Sequence, residues 1–200
     1  METSEKENVN FWKQKAQEIR VQLNLGAAEA ADKYEEEKKA VRKWIHETEQ
    51  RLNENGDGSL DKLRTKLDEL KVQASLGKAE AQDEYEEQRK KFNQKLHEAR
   101  QEAKEVSQKA DSQAKVIGDK VSQRLQAWQT QFDIFNVQLH LGAKEASEKW
   151  NEQKGKFKSW LDNLDDQLDD VQSESKESWE NFKTELSSSW NTLKSKFSKN

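Results

Sequence analysis

Three copies of one pattern run through this chain, and they restrict it to a repetitive helical object. They centre on Val21-Leu25-Gly26, Val72-Leu76-Gly77 and Val137-Leu141-Gly142. Each copy continues with Glu-Ala at 29–30, 80–81 and 145–146. An acid comes next at Asp32, Asp83 and Glu148, then an aromatic at Tyr34, Tyr85 and Trp150. The likeness extends outward. Trp12, Leu63 and Trp128 correspond, as do Val41, Phe92 and Phe157, and Ile45, Leu96 and Leu161. Copies one and two are offset by 51 residues at the Leu (25 to 76), and copies two and three by 65 (76 to 141). An internal repeat reports architecture before chemistry. Within each copy the apolar positions step by three and four, which fits an amphipathic helix and not a strand.

Composition agrees. With 32% hydrophobic and 37% charged residues, and Leu, Ile, Val and Phe together under about one-fifth, the chain borders on compositions that stay unfolded. Its net charge of −4 is small, however, and proline is absent. Long helices joined along a narrow apolar seam need few hydrophobic residues. The reading is therefore all-α: an elongated antiparallel bundle or coiled coil of three long repeat-related helices plus a shorter amphipathic carboxy-terminal helix. The expected segments are 1–55, a turn at 56–59, then 60–115, 116–171 and 172–200. Ser4 with Glu7 offers a capping box to the first helix.

Breaker residues locate the connections. Asn53-Glu54-Asn55-Gly56-Asp57-Gly58-Ser59 is the strongest break, and Ser59 can cap the helix after it. A hairpin there sets Tyr34 opposite Ala81 and Tyr85 opposite Ala30, so that a large residue of each copy meets a small one of the other. The same rule applied to Ala146 and Trp150 asks for a second turn near 115–119, beside Gly118. A single unbroken helix through Val106, Ile117 and Trp128 is the alternative. The recurrent Leu-Gly step suggests close backbone approach where helices cross, with local unwinding as the other reading.

Candidate chemistry is sparse. Asn53, Asn55, Asp57, Gly58 and Asp61 imitate an EF-hand calcium loop, but the twelfth position, where a bidentate Glu belongs, is Arg64. Asp162, Asp165, Asp166, Asp169 and Asp170 form an acidic helical run that reads as a solvated face or a partner for basic groups. His46, His97 and His140 show no i, i+4 pairing. Cysteine is absent, so disulfides and thiolate chemistry are excluded. No catalytic, cofactor-binding or metal-binding set is assigned, and no small-molecule substrate or nucleic acid is expected. The charged amino terminus has no signal-like apolar region, and no apolar run is long enough to span a bilayer, which leads us to expect a cytoplasmic, or membrane-peripheral, protein.

Past Gln172 the composition shifts toward serine. Trp179, Phe182, Leu186, Trp190, Leu193 and Phe197 lie at steps of three or four, opposite a Ser/Lys face. This helix can fold back over the bundle, seat in a partner's groove, or lie in a membrane surface. The run Ser178 to Leu186, with Trp190 to Phe197 after it, resembles the tails of small bacterial coiled-coil proteins of uncharacterised function. The overall composition is similar to apolipoprotein-like and late-embryogenesis-type helical proteins. Neither resemblance implies an active site. What is expected is a non-enzymatic structural or scaffolding protein, self-associating as a homo-oligomer through its seam. Its packing residues are Trp12, Ala30, Tyr34, Leu63, Ala81, Tyr85, Trp128, Ala146 and Trp150. The alternative is a peripheral lipid-binding protein acting through the tail.

Overall fold

A computed structural model of the chain is built from helices. The structure describes residues 3–25, 27–55, 58–110, 112–142 and 147–173, and, in the tail, 181–182, 184–185, 188–189 and 192. The described α-helices are α1 (Thr3–Gln22), α2 (Ala27–Asn55), α3 (Asp61–Ser75), α4 (Gln82–Lys109), α5 (Ser112–Gly142) and α6 (Ser147–Ser173), with a 3-10 turn at Gly58–Leu60. No strand occurs among the described residues. The chain divides into two compact units: residues 31–136, and a second formed from 1–30 with 137–200.

Helix formation obeys the expected periodicity, but helix length does not. The 1–55 and 60–115 helices are each broken. Copy one stops at Gln22 and resumes at Ala27. Copy two stops at Ser75, where Leu76 turns extended (φ −67°, ψ 129°), and resumes only after Ala81 (φ −77°, ψ 132°). The breaks fall on the Leu-Gly step itself. Close approach is therefore not what Gly77 provides: a β-carbon added there meets nothing within 4 Å. Local unwinding occurs at that step instead.

The second connection also moves. α4 ends at Lys109, Ala110 is extended, and α5 starts at Ser112, upstream of the expected 115–119 and excluding an unbroken helix. Gly118 lies inside α5 and supplies the close approach expected of the other glycines. A β-carbon on it would sit 2.7 Å from Ser107 N, 2.8 Å from the Ala103 carbonyl oxygen and 2.9 Å from Val106 Cγ1. Such distances require backbone to touch backbone. The N-cap position of α3 falls to Leu60 rather than to Ser59, and Leu60 has no side-chain cap bond.

In the unit 31–136, contact register fixes direction. Lys66 pairs with Glu98 (3.1 Å) and Lys95 with Glu69 (2.8 Å), so residue numbers rise along α3 as they fall along α4. α2 and α3 are likewise antiparallel, through Lys71 with Glu49 and the Arg64 guanidinium donating to the Leu52 carbonyl. α4 and α5 are linked by Arg89 to Asn136 Oδ1 (3.0 Å) and Arg100 to Gln129 Oε1 (3.0 Å). Hydrogen bonds from Lys95, Gln94 and Lys66 hold the Glu98 carboxyl down to about 2. Such half-buried pairs, still in contact with solvent, fix register more than they add stability. Stability resides in the seam: Val41, Ile45 and Leu52 of α2, Leu63, Leu67 and Leu70 of α3, Phe92, Leu96 and Ala99 of α4, and Leu125, Trp128 and Phe132 of α5 are buried. Each fully buried large side chain contributes about 1.5–3 kcal/mol.

In the other unit α1 and α6 run antiparallel. Lys13 pairs with Asp169 (2.6 Å), and Arg20 with Asp162 (2.7 Å) and Asp165 (2.9 Å). The acidic run thus meets basic residues of its own chain. Trp12, Ala16, Ile19, Phe157, Leu161, Leu164 and Leu168 are buried there. Phe182 from the tail is 2% exposed and meets Trp12 edge to face, with centroids 6.4 Å apart. Trp160 Nε1 donates to Ser189 Oγ (3.1 Å), and Gln167 Nε2 to Glu185 (2.9 Å).

Candidate functional site

Among the described residues, polar and aromatic side chains form a cluster where α3 has ended and the segment 76–81 crosses between α3 and α4. Tyr34, on α2, is at its centre. Its ring meets those of Tyr85 (6.2 Å), Phe92 (6.1 Å), Phe132 (5.0 Å) and Phe135 (6.0 Å), all at steep interplanar angles. Edge-to-face pairs of this kind add about 0.5–1.5 kcal/mol each beyond area burial. The large-to-small matching expected of Tyr34 and Ala81 is not what forms. Tyr34 meets Tyr85, and Ala81 is an exposed helix cap. With α3 stopping at Ser75, the space beside Tyr34 is filled by rings from α4 and α5.

Cations surround this cluster. Lys38 Nζ lies 5.9 Å from the Tyr34 centroid, Lys78 Nζ 5.7 Å and Arg89 Cζ 5.3 Å from that of Tyr85. Lys38, 3% exposed, donates to Glu35 Oε2 (3.0 Å) and to the Leu76 carbonyl (2.7 Å). It therefore fastens the unwound Leu-Gly step to α2. Arg89 donates to Asn136 and lies 4.0 Å from Glu86. Its charged partners are structural ones. Burial pushes both tyrosine hydroxyls well above the ordinary phenol range, aided at Tyr34 by the neighbouring Tyr85 and at Tyr85 by the Glu35 carboxylate. Neutral, buried phenols of this kind are poor proton acceptors and poor nucleophiles. The Tyr34 hydroxyl has no hydrogen-bond partner among the described groups.

Tyr34 and Tyr85 are the chain's two tyrosines, which makes their burial directly measurable. In an alkaline titration, tyrosinate absorbance should stay flat through about pH 10, where free phenol ionises, and rise only together with loss of helical circular dichroism. Both folded values are raised. Their contribution to stability is thus complete below about pH 10 and falls as pH climbs above it. An ordinary titration near pH 10 with the helices intact would contradict this burial.

A shallow cleft of about 290 Å³ lies in the other unit, lined by Trp160, Asn163, Leu164, Asp166, Gln167 and Ser189. Its lining holds the Asp166 carboxylate and the Ser189 hydroxyl, which accepts a hydrogen bond from Trp160 Nε1. Neither a family model, nor a curated protein, nor a solved structure matches this chain. Function rests on the geometry alone.

Of the residues singled out in the sequence, Trp12, Ala30, Tyr34, Leu63, Tyr85 and Trp128 are buried. Trp12 belongs to one unit. Leu63 and Trp128 belong to the other, where Trp128 packs on Trp44 (4.9 Å). Ala146, the side chain of Trp150 and the residues Trp179, Leu186, Trp190, Leu193 and Phe197 lie outside the described residues. At the calcium-like loop, Arg64 pairs with Asp61, and α2 continues through Asn55. His46 and His97 are exposed, each within 3.4 Å of a glutamine on the next helical turn. No cluster of metal-ligating side chains occurs among the described residues.

Sequence reasoning missed Lys38, Arg89 and Trp44 entirely. Lys38 and Arg89 look like ordinary outward charges. The available signal was Lys38 four residues beyond Tyr34, and Arg89 four beyond Tyr85, at matching places in two copies. Also missed was the burial of Gln126, Thr130, Gln131 and Asp133, which a polar face on α5 would have left exposed.

Proposed function

We propose that this is a non-enzymatic structural protein of the cytoplasm, a bundle of repeat-related antiparallel coiled-coil segments whose work is assembly. The supporting observation is the Tyr34–Tyr85 cluster. It is the place where chemistry could most readily have been built, yet its cations join helices to one another and its phenols are held neutral. Most of the apolar seam of residues 31–136 is buried within the chain, with Val72, Leu76 and Val116 left exposed. Self-association through the seam therefore means trading seam partners with another copy rather than covering an open stripe.

The burial of Phe182 on Trp12 argues against a tail that presents this ring to lipid. No described helix is long and apolar enough to cross a membrane. Light scattering after size-exclusion chromatography tests the main reading. A dimer or larger species whose share grows with protein concentration is expected. A monomer at every concentration would refute self-association. Flotation with liposomes by the full chain, lost on truncation after Val171, would favour the lipid-surface reading instead.

A further inference from the structure

We infer that residues 76–81 are a hinge through which two copies of this chain exchange arms, α3 and α4 straightening into one continuous helix. This rests on the assembly reading above and gives it a structural route. Four observations lead to it. First, the segment is not a natural turn. Leu76, Lys78, Ala79, Glu80 and Ala81 are strong helix formers, Gly77 is the one poor one, and proline is absent. Second, apolar or small residues continue at steps of three and four on both sides of the break, through Leu63, Leu67, Leu70, Ala74, Gly77, Ala81 and Tyr85. A helical register therefore passes through a place that is not helical.

Third, the hairpin does not depend on glycine for space, since Gly77 has room for a β-carbon. Leu76 and Val72 beside it are 40% and 59% exposed. The described ties on the segment are few: Lys38 to the Leu76 carbonyl, Leu76 N to the Gln73 carbonyl at 3.3 Å, Tyr85 N to the Ala81 carbonyl at 3.0 Å, and Lys78 over Tyr85. Fourth, what the hairpin holds together can be remade between copies. The pairs Lys66–Glu98 and Lys95–Glu69, and the Tyr34 and Trp44 ring contacts, all link a residue before the hinge to one after it. Each is satisfied equally well by a second copy's α4 and α5. The exchange also adds helical hydrogen bonds across 76–81, set against the entropy of bringing two chains together.

Two substitutions move the hinge in opposite directions. Gly77→Ala raises helix propensity without a clash. With two hinges straightened per dimer, it should raise the dimerisation constant about twentyfold. Gln82→Pro puts proline at the first helical position of α4, after an extended Ala81, where its ring is tolerated. Inside a continuous helix the same ring breaks the i−4 bond. It should lower dimerisation by more than about a hundredfold while leaving monomer helicity intact. The chain has no cysteine, so a Lys66→Cys/Glu98→Cys pair can be bridged cleanly with a short bismaleimide.

All variants are refolded at high concentration and separated by size with light scattering. Expected are a dimer enriched by Gly77→Ala and depleted by Gln82→Pro, and a covalent link running between chains in the dimer fraction. A dimer whose link stays within each chain overturns arm exchange and leaves self-association standing. Monomer throughout, Gly77→Ala included, overturns both. Should Gln82→Pro lose its circular dichroism signal, the position of the cross-link decides alone.

Discussion

Gly118→Ala should destabilise the chain by about 2 kcal/mol, read as a fall of roughly 1 M in the urea midpoint. Helix propensity taken alone says the reverse, since alanine inside a helix gains about 1 kcal/mol over glycine. Contact decides the sign. The new methyl would press on Ser107 N and the Ala103 carbonyl oxygen at 2.7 and 2.8 Å. Those are backbone atoms of α4, which cannot rotate away as a side-chain tip could. α5 would have to slide off α4, loosening Val106, Val121 and Leu125 with it. The same substitution at Gly77 meets open space and should leave monomer stability level or slightly raised. Equal effects at the two glycines would mean that α4 and α5 are not in backbone contact at Gly118.

Tyr34→Ala should cost about 3–5 kcal/mol, the range for deleting a large buried ring that its neighbours cannot refill. Tyr34 is 1% exposed and touches four other rings, so the cavity opens in the middle of the cluster. Tyr34→Phe should behave oppositely. It keeps the ring and removes a hydroxyl that is buried without a partner, and a gain of up to about 1 kcal/mol is expected. Urea unfolding of the two variants side by side measures both. A loss on Tyr34→Phe as large as that on Tyr34→Ala would show that the hydroxyl is bonded.

What could be seen in the sequence was the periodic part. The steps of three and four mark out which residues are buried: Trp12, Ile19, Val41, Ile45, Leu63, Leu67, Phe92 and Leu96 all are. Helical character comes from that spacing and from the absence of proline. Helix ends were far less legible. Asn53 to Ser59 announces its turn in residues that favour turns. Leu76 to Ala81 does not, because the break is imposed from a distance: Lys38 reaches from α2 to hold the Leu76 carbonyl, and the rings of α4 and α5 take the space that a longer α3 would occupy. A lysine four residues after a tyrosine carries no local mark of such a role. The matching of Tyr34 with Ala81 failed for the same reason, since it presumed that copy two stays straight past Gly77.

The pairing of α1 with α6 has a consequence for the order of events during synthesis. Lys13 and Asp169 lie 156 residues apart in the chain yet bond to each other. At typical rates of elongation, about 8–30 s pass between the emergence of one and of the other. Throughout that interval Trp12, Ile19 and Leu23 have been made while their helical partner has not. Residues 31–136 complete their own core in the meantime, from helices that succeed one another in sequence and pair with near neighbours. α1 thus emerges well before α6, the helix it must pair with, and waits for it.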